Sequence, residues 1–168
     1  MAATFGWTQS NGVASAVAHS DLGVSGNLFN FKRSDDAPAA NYSSNPVPAG
    51  EKSYEVWLRA KFTGTFNSVE NIQFWRSTDF SPSTGLDVQW GPGGVSAYET
   101  PVTGTNLAVS AVPSADPGSQ NVSVGGVASG SLSASGYSDY LVLQLATTSA
   151  AAAGDTSLAT FTMNYDES

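Results

Sequence analysis

Cysteine is absent and histidine occurs once, at His19. Without cysteine there is no disulfide framework, no thiolate-held zinc or iron–sulfur centre and no thiol nucleophile. A single histidine excludes any site that needs two from one chain. Charge is scarce as well: Asp, Glu, Lys and Arg make up 12% of the residues, about half the usual share. Six Lys+Arg against fourteen Asp+Glu leave a net −8. Phosphate neutralisation needs clustered cations, so no nucleic-acid partner is expected. No apolar run approaches the roughly 18 residues of a membrane span, so no membrane partner is expected either. The start, Met1-Ala2-Ala3-Thr4-Phe5-Gly6-Trp7, has neither a basic n-region nor an apolar h-region. It reads as a protein made and used without export.

The charges that are present are unevenly placed. All six basic residues fall between Lys32 and Arg76 and balance the six acids up to that point. Residues 77–168 carry eight acids and no Lys or Arg, so the whole −8 lies there. This segregation suits a neutral part that docks on a partner and an anionic part that faces solvent.

The 168 residues are enough for one domain with one core. Helical periodicity is nearly absent, while runs of period two are frequent. In 53–62, Tyr54, Val56, Leu58, Ala60 and Phe62 share one face. Glu55, Trp57, Arg59 and Lys61 share the other, as in a half-buried strand. Further strands are expected at 28–31, 69–75, 86–90, 95–100, 107–112, 121–127, 140–147 and 160–165. Gly, Pro, Ser and Asn fill the loops between them. The four alanines Ala150–Ala153 are too short a run for a stable helix and read as loop. The expected fold is all-β, a single antiparallel β-sandwich or jelly roll of about eight strands spanning 21–168. Residues 1–20, small and polar, are expected as an N-terminal arm or first edge segment.

Chemistry-bearing residues are few. His19-Ser20-Asp21 contains the residue types of a hydrolase triad, but adjacent residues point in different directions and cannot relay a proton. No G-x-S-x-G elbow accompanies them. Glu55, beside Arg59 and Lys61, reads as an ion-pair partner rather than a catalytic acid. Asp35-Asp36 and the Asp79 to Asp87 loop offer carboxylates to calcium without the EF-hand spacing. The expectation is no enzyme, no metal and no cofactor. Trp57 and Trp75 lie on nominally polar strand faces. They would either stack on a ligand or anchor an interface, or be buried because both faces of the sheet are covered.

Two stretches carry a resemblance. One is Ser138-Asp139-Tyr140-Leu141-Val142-Leu143-Gln144-Leu145-Ala146-Thr147-Thr148 with the ending Ala159-Thr160-Phe161-Thr162-Met163-Asn164-Tyr165-Asp166-Glu167. The other is Asn45-Pro46-Val47-Pro48-Ala49-Gly50-Glu51-Lys52-Ser53-Tyr54-Glu55-Val56-Trp57-Leu58-Arg59, continuing through Phe62–Asn67 and Glu70–Trp75. Both resemble small all-β virion structural proteins of tailed bacteriophages. The resemblance implies a capsid decoration (cement) protein in the virion. Its partner would be the major capsid protein, and the chain would self-associate, a trimer being favoured. It transfers no catalytic residues. Lys32, Arg33, Lys52, Trp57, Arg59, Lys61 and Trp75 are the interaction candidates. The alternative is a carbohydrate-binding sandwich or host-adhesion protein with Trp57, Trp75, Trp90 and Tyr98 as its platform.

Overall fold

A computed structural model describes residues 2–23, 29–38 and 42–168. Nine strands appear among them. In order they are β1 (Ala3–Asn11), β2 (Ala18–Gly23), β3 (Val56–Gly64), β4 (Val69–Thr78), β5 (Leu86–Trp90), β6 (Ser110–Ala111), β7 (Gly136–Tyr137), β8 (Leu141–Thr147) and β9 (Thr160–Glu167). All strand pairs are antiparallel. The larger sheet runs β2-β1-β3-β8-β5-β6, with β7 also on β3, and the smaller one is β4-β9. The two sheets pack face to face, so the chain is an all-β sandwich.

The core follows from alternation. On β3, Val56, Leu58, Ala60 and Phe62 point inward and are buried, and Leu141 and Leu143 of β8 do the same. The small sheet answers with Ile72 and Phe74 of β4, both fully buried, and with Phe161, Met163 and Tyr165 of β9. Aromatic rings bind the layers together. Phe74 stacks on Phe161 within the small sheet at 5.7 Å and meets Trp7 of the large sheet edge-on at 5.9 Å, while Phe62 of the large sheet meets Tyr165 of the small one at 4.9 Å. Such pairs add about 0.5–1.5 kcal/mol each beyond the area they bury.

The outer face of the large sheet is divided in two. Over β3 and β8, Trp57, Tyr140 and Val142 form a second buried cluster beneath Val95, Tyr98 and Leu107. The 91–109 segment thus lies as a cover on that half. Two buried side chains fasten it. The Gln144 amide donates to Ser53 O, Val102 O and Gly104 O at 2.9–3.3 Å. Glu55 accepts from the Val102 and Leu107 backbone N–H groups and from Trp57 Nε1 at 3.3–3.4 Å. Over β2, β1 and the far end of β3 the same face is open.

Several expectations change. Of the two expectations for residues 1–20, the edge segment and not the free arm describes them: β1 pairs with β2 along one side and with β3 along the other, and β2 is the edge of the sheet. Trp7 is buried, and Phe5 packs against the same core. Leu28 lies outside the described residues, and Phe29–Phe31 are not in a strand. Residues 95–100 form only the Val95–Tyr140 bridge, and of 107–112 only Ser110–Ala111 is strand. Residues 121–127 contribute isolated bridges at Val122, Val124 and Val127. β4 runs on to Thr78. It carries a bulge at Asn71, which sits at φ 51, a left-handed conformation that asparagine tolerates better than most residues.

Candidate functional site

The open half of the outer face is built from strand register. Thr8 of β1 stands opposite Asp21 of β2 and Arg59 of β3, and Ser10 stands opposite His19 and Trp57. Directly opposed residues share a face, so these six make two rows across three strands. Lys61 lies opposite Gly6 on one side and Tyr137 of β7 on the other. Lys61 Nζ reaches Asp21 Oδ2 at 2.6 Å. Thr8, His19, Asp21, Arg59, Lys61 and Tyr137 together line an open groove of about 360 Å³.

Of the three charged side chains in the groove, all but one are paired with each other. Asp21 accepts from the Thr8 hydroxyl at 2.9 Å and from Lys61. Those bonds hold the Asp21 carboxyl below its ordinary range and push Lys61 up. Ser10 Oγ lies 2.7 Å from His19 Nδ1. The exception is Arg59. Its Nε donates to Ser138 O at 3.0 Å, and its guanidinium lies over the Tyr137 and Tyr140 rings at 4.4 and 4.7 Å. Stacking and one hydrogen bond fix its plane. Yet among the described residues no carboxylate lies within 4 Å of it. His19, Ser20 and Asp21 do not form a relay: His19 turns to Ser10, and Asp21 to Thr8 and Lys61.

The interaction candidates are scattered. Only Arg59 and Lys61 meet in the groove. Lys32 is buried against Asp36 and donates to Ala37 O at 2.8 Å. Arg33 pairs with Glu51 at 3.1 Å and donates to Lys52 O. Lys52 Nζ reaches Gln89 Oε1 at 2.7 Å and Thr105 Oγ1 at 2.8 Å. These three fasten loops to the sheet. Trp57 is fully buried and Trp90 nearly so. Tyr98 is half-buried with its hydroxyl donating to Gly12 O at 2.6 Å, and half-buried Trp75 lies on the small sheet. The four aromatics therefore make no exposed platform. Thr8, His19, Asp21 and Tyr137 were not legible as groove residues, because cross-strand register brings them there.

Glu55 corrects a second expectation. It forms no ion pair with Arg59 or Lys61 but lies 3% exposed under the 91–109 cover. Burial raises its carboxyl above the ordinary value, against the pull of its three N–H donors. The acidic pairs offered to calcium are already committed. Asp35 accepts from Gly12 N at 2.9 Å, Asp36 pairs with Lys32, and Asp79 pairs with Arg76 at 3.2 Å. Among the described residues no group of three His, Asp or Glu is placed to hold a metal ion. A tight cavity of about 10 Å³ beside Gln9, Ser34 and Asp35 has the size of one water molecule. Among the described residues no helix is long and apolar enough to cross a membrane. Compared with known protein families, curated proteins and solved structures, the chain has no match.

Proposed function

We propose that this chain is a structural protein of a tailed-phage particle, a capsid decoration protein that docks on the lattice of the major capsid protein and stabilises the shell. The observation that carries the reading is the divided outer face of the large sheet. One half is sealed by the chain's own 91–109 segment. The other half is left open and polar, with Arg59 and Lys61 side by side in a chain of net −8. A cationic recess on an anionic protein favours an acidic partner surface and disfavours approach in other orientations. The resemblance of 138–148 and 45–59 to phage virion proteins points the same way. Binding the assembled lattice in preference to the free subunit stabilises the shell by mass action. Self-association, as a trimer at local symmetry axes, belongs to the same proposal.

The test is copurification. Purified particles are analysed by quantitative mass spectrometry for this chain and for the major capsid protein. A copy number in fixed proportion to the capsid protein supports the reading. Particles that lack the chain, or carry only a handful of copies, overturn it.

A further inference from the structure

Arg59 is held in place more firmly than a surface arginine needs to be, and it faces no acid. Its Nε is tied to Ser138 O, and two tyrosine rings set the plane of its guanidinium. That leaves the two terminal nitrogens, with four N–H donors in a flat fork, toward a groove of about 360 Å³. The neighbouring acid, Asp21, is bound to Thr8 and Lys61 instead. The other arginines differ. Arg33 has Glu51 at 3.1 Å and Arg76 has Asp79 at 3.2 Å.

We infer that Arg59 is the recognition centre of the groove and takes a carboxylate side chain from an acidic segment of the partner protein, with Lys61 as the flanking cation. The inference rests on the docking reading above and names the partner chemistry of that same face. Three features favour a carboxylate. A planar fork matches a carboxylate bidentately. Two aromatic rings within 5 Å of the guanidinium lower its hydration, which strengthens the pairing. The entropy of fixing the arginine is largely met before binding. The bulk of the protein repels anions, so an acidic segment that binds does so through local contacts and not through the overall field.

The experiment uses the full chain, labelled with nitrogen-15, and a hexaglutamate peptide as probe, with inorganic phosphate in a parallel arm. Nuclear magnetic resonance follows the Arg59 Nε signal and the Tyr137 amide. The expected result is a saturable shift of both signals with the peptide. The Arg59→Lys variant keeps the charge and loses the fork, and it should weaken the peptide at least tenfold. Lys61→Gln should weaken it by a smaller factor. Because Arg59→Lys disturbs a packed residue, Lys61→Gln and the Arg59 Nε shift in the unaltered protein each test the idea without it. Equal binding by Arg59→Lys and the unaltered chain overturns the inference, as does a peptide that leaves the Arg59 signal unmoved. Saturable binding of phosphate without the peptide overturns it in favour of a free-anion site. Particles that contain the chain while the peptide fails would sink this inference alone. Peptide binding at Arg59 with particles that lack the chain would sink the decoration reading alone.

Discussion

Replacing Glu55 with alanine should loosen the 91–109 cover before anything else. Glu55 accepts from two points in the C-terminal half of that segment, Val102 N and Leu107 N, and from the buried Trp57 indole. Alanine leaves the buried Trp57 indole N–H and the part-buried Val102 and Leu107 N–H groups without their acceptor. Each orphaned donor costs about 1–3 kcal/mol, and these bonds are long, so the low end applies. Because two of the three are only part-buried, the sum is about 1–3 kcal/mol, still a sizeable part of the 5–15 kcal/mol that stabilises a typical domain. Urea unfolding followed by tryptophan fluorescence measures it. Native-state hydrogen exchange locates it, with the amides of Val102 and Leu107 exchanging faster while those of Phe74 and Leu141 keep their protection relative to the new global stability. The pH dependence has a definite sign. Burial raises the folded-state carboxyl above the unfolded value of 4.5. The folded state therefore holds the proton more tightly, and stability falls as pH climbs from the unfolded pKa through the raised one. Glu55→Gln should remove that decline. A loss below about 1 kcal/mol for Glu55→Ala, or a uniform change in exchange across the sandwich, would refute the clamp.

Further outcomes follow from the packing and the groove. Phe74→Ala empties a site touched by rings from both sheets and should cost about 3–5 kcal/mol in chemical denaturation. Gly85→Ala forces a side chain onto φ +75 and sets its Cβ 2.5 Å from Ala151 N. A stability loss of about 1–3 kcal/mol is expected, against almost none for alanine at Gly104, where φ is ordinary and no atom lies within 4 Å. Lys61→Gln should let the Asp21 carboxyl rise toward its ordinary value, seen by carbon-13 titration. With Lys61 present, Asp21 titrates low, so its small contribution is full above 3.8 and fades as pH drops through the folded value.

The parts of the fold legible in the sequence are those where large apolar residues alternate along paired strands. β5 has the expected bounds, and the inward sets of β3, β8 and β9 follow from their side chains. β1 was hidden because Thr, Gly, Gln and Ser dilute Phe5 and Trp7, so its alternation is weak although both of its edges are paired. The opposite error occurred at 95–100 and 107–112. There the chain lies against a sheet with little pairing of its own, and Ala108 and Val112 are buried without an extended ladder. Trp57 belongs to the same effect. Its outward position is as the alternation implies, but the cover makes outward mean buried. Arg59 and Lys61 could be named in advance as residues two apart on one strand. Their groove mates Thr8, His19 and Tyr137 could not, since pairing register is a property of the folded sheet.

The most direct test of the docking account is cosedimentation with assembled capsid shells that lack the chain. The unaltered protein and the Arg59→Glu/Lys61→Glu variant are compared under the same salt. The account predicts that the unaltered chain pellets with the shells to saturation and that the variant stays in the supernatant, with its circular dichroism unchanged. Equal pelleting of the two proteins, or no pelleting of the unaltered chain, would contradict it.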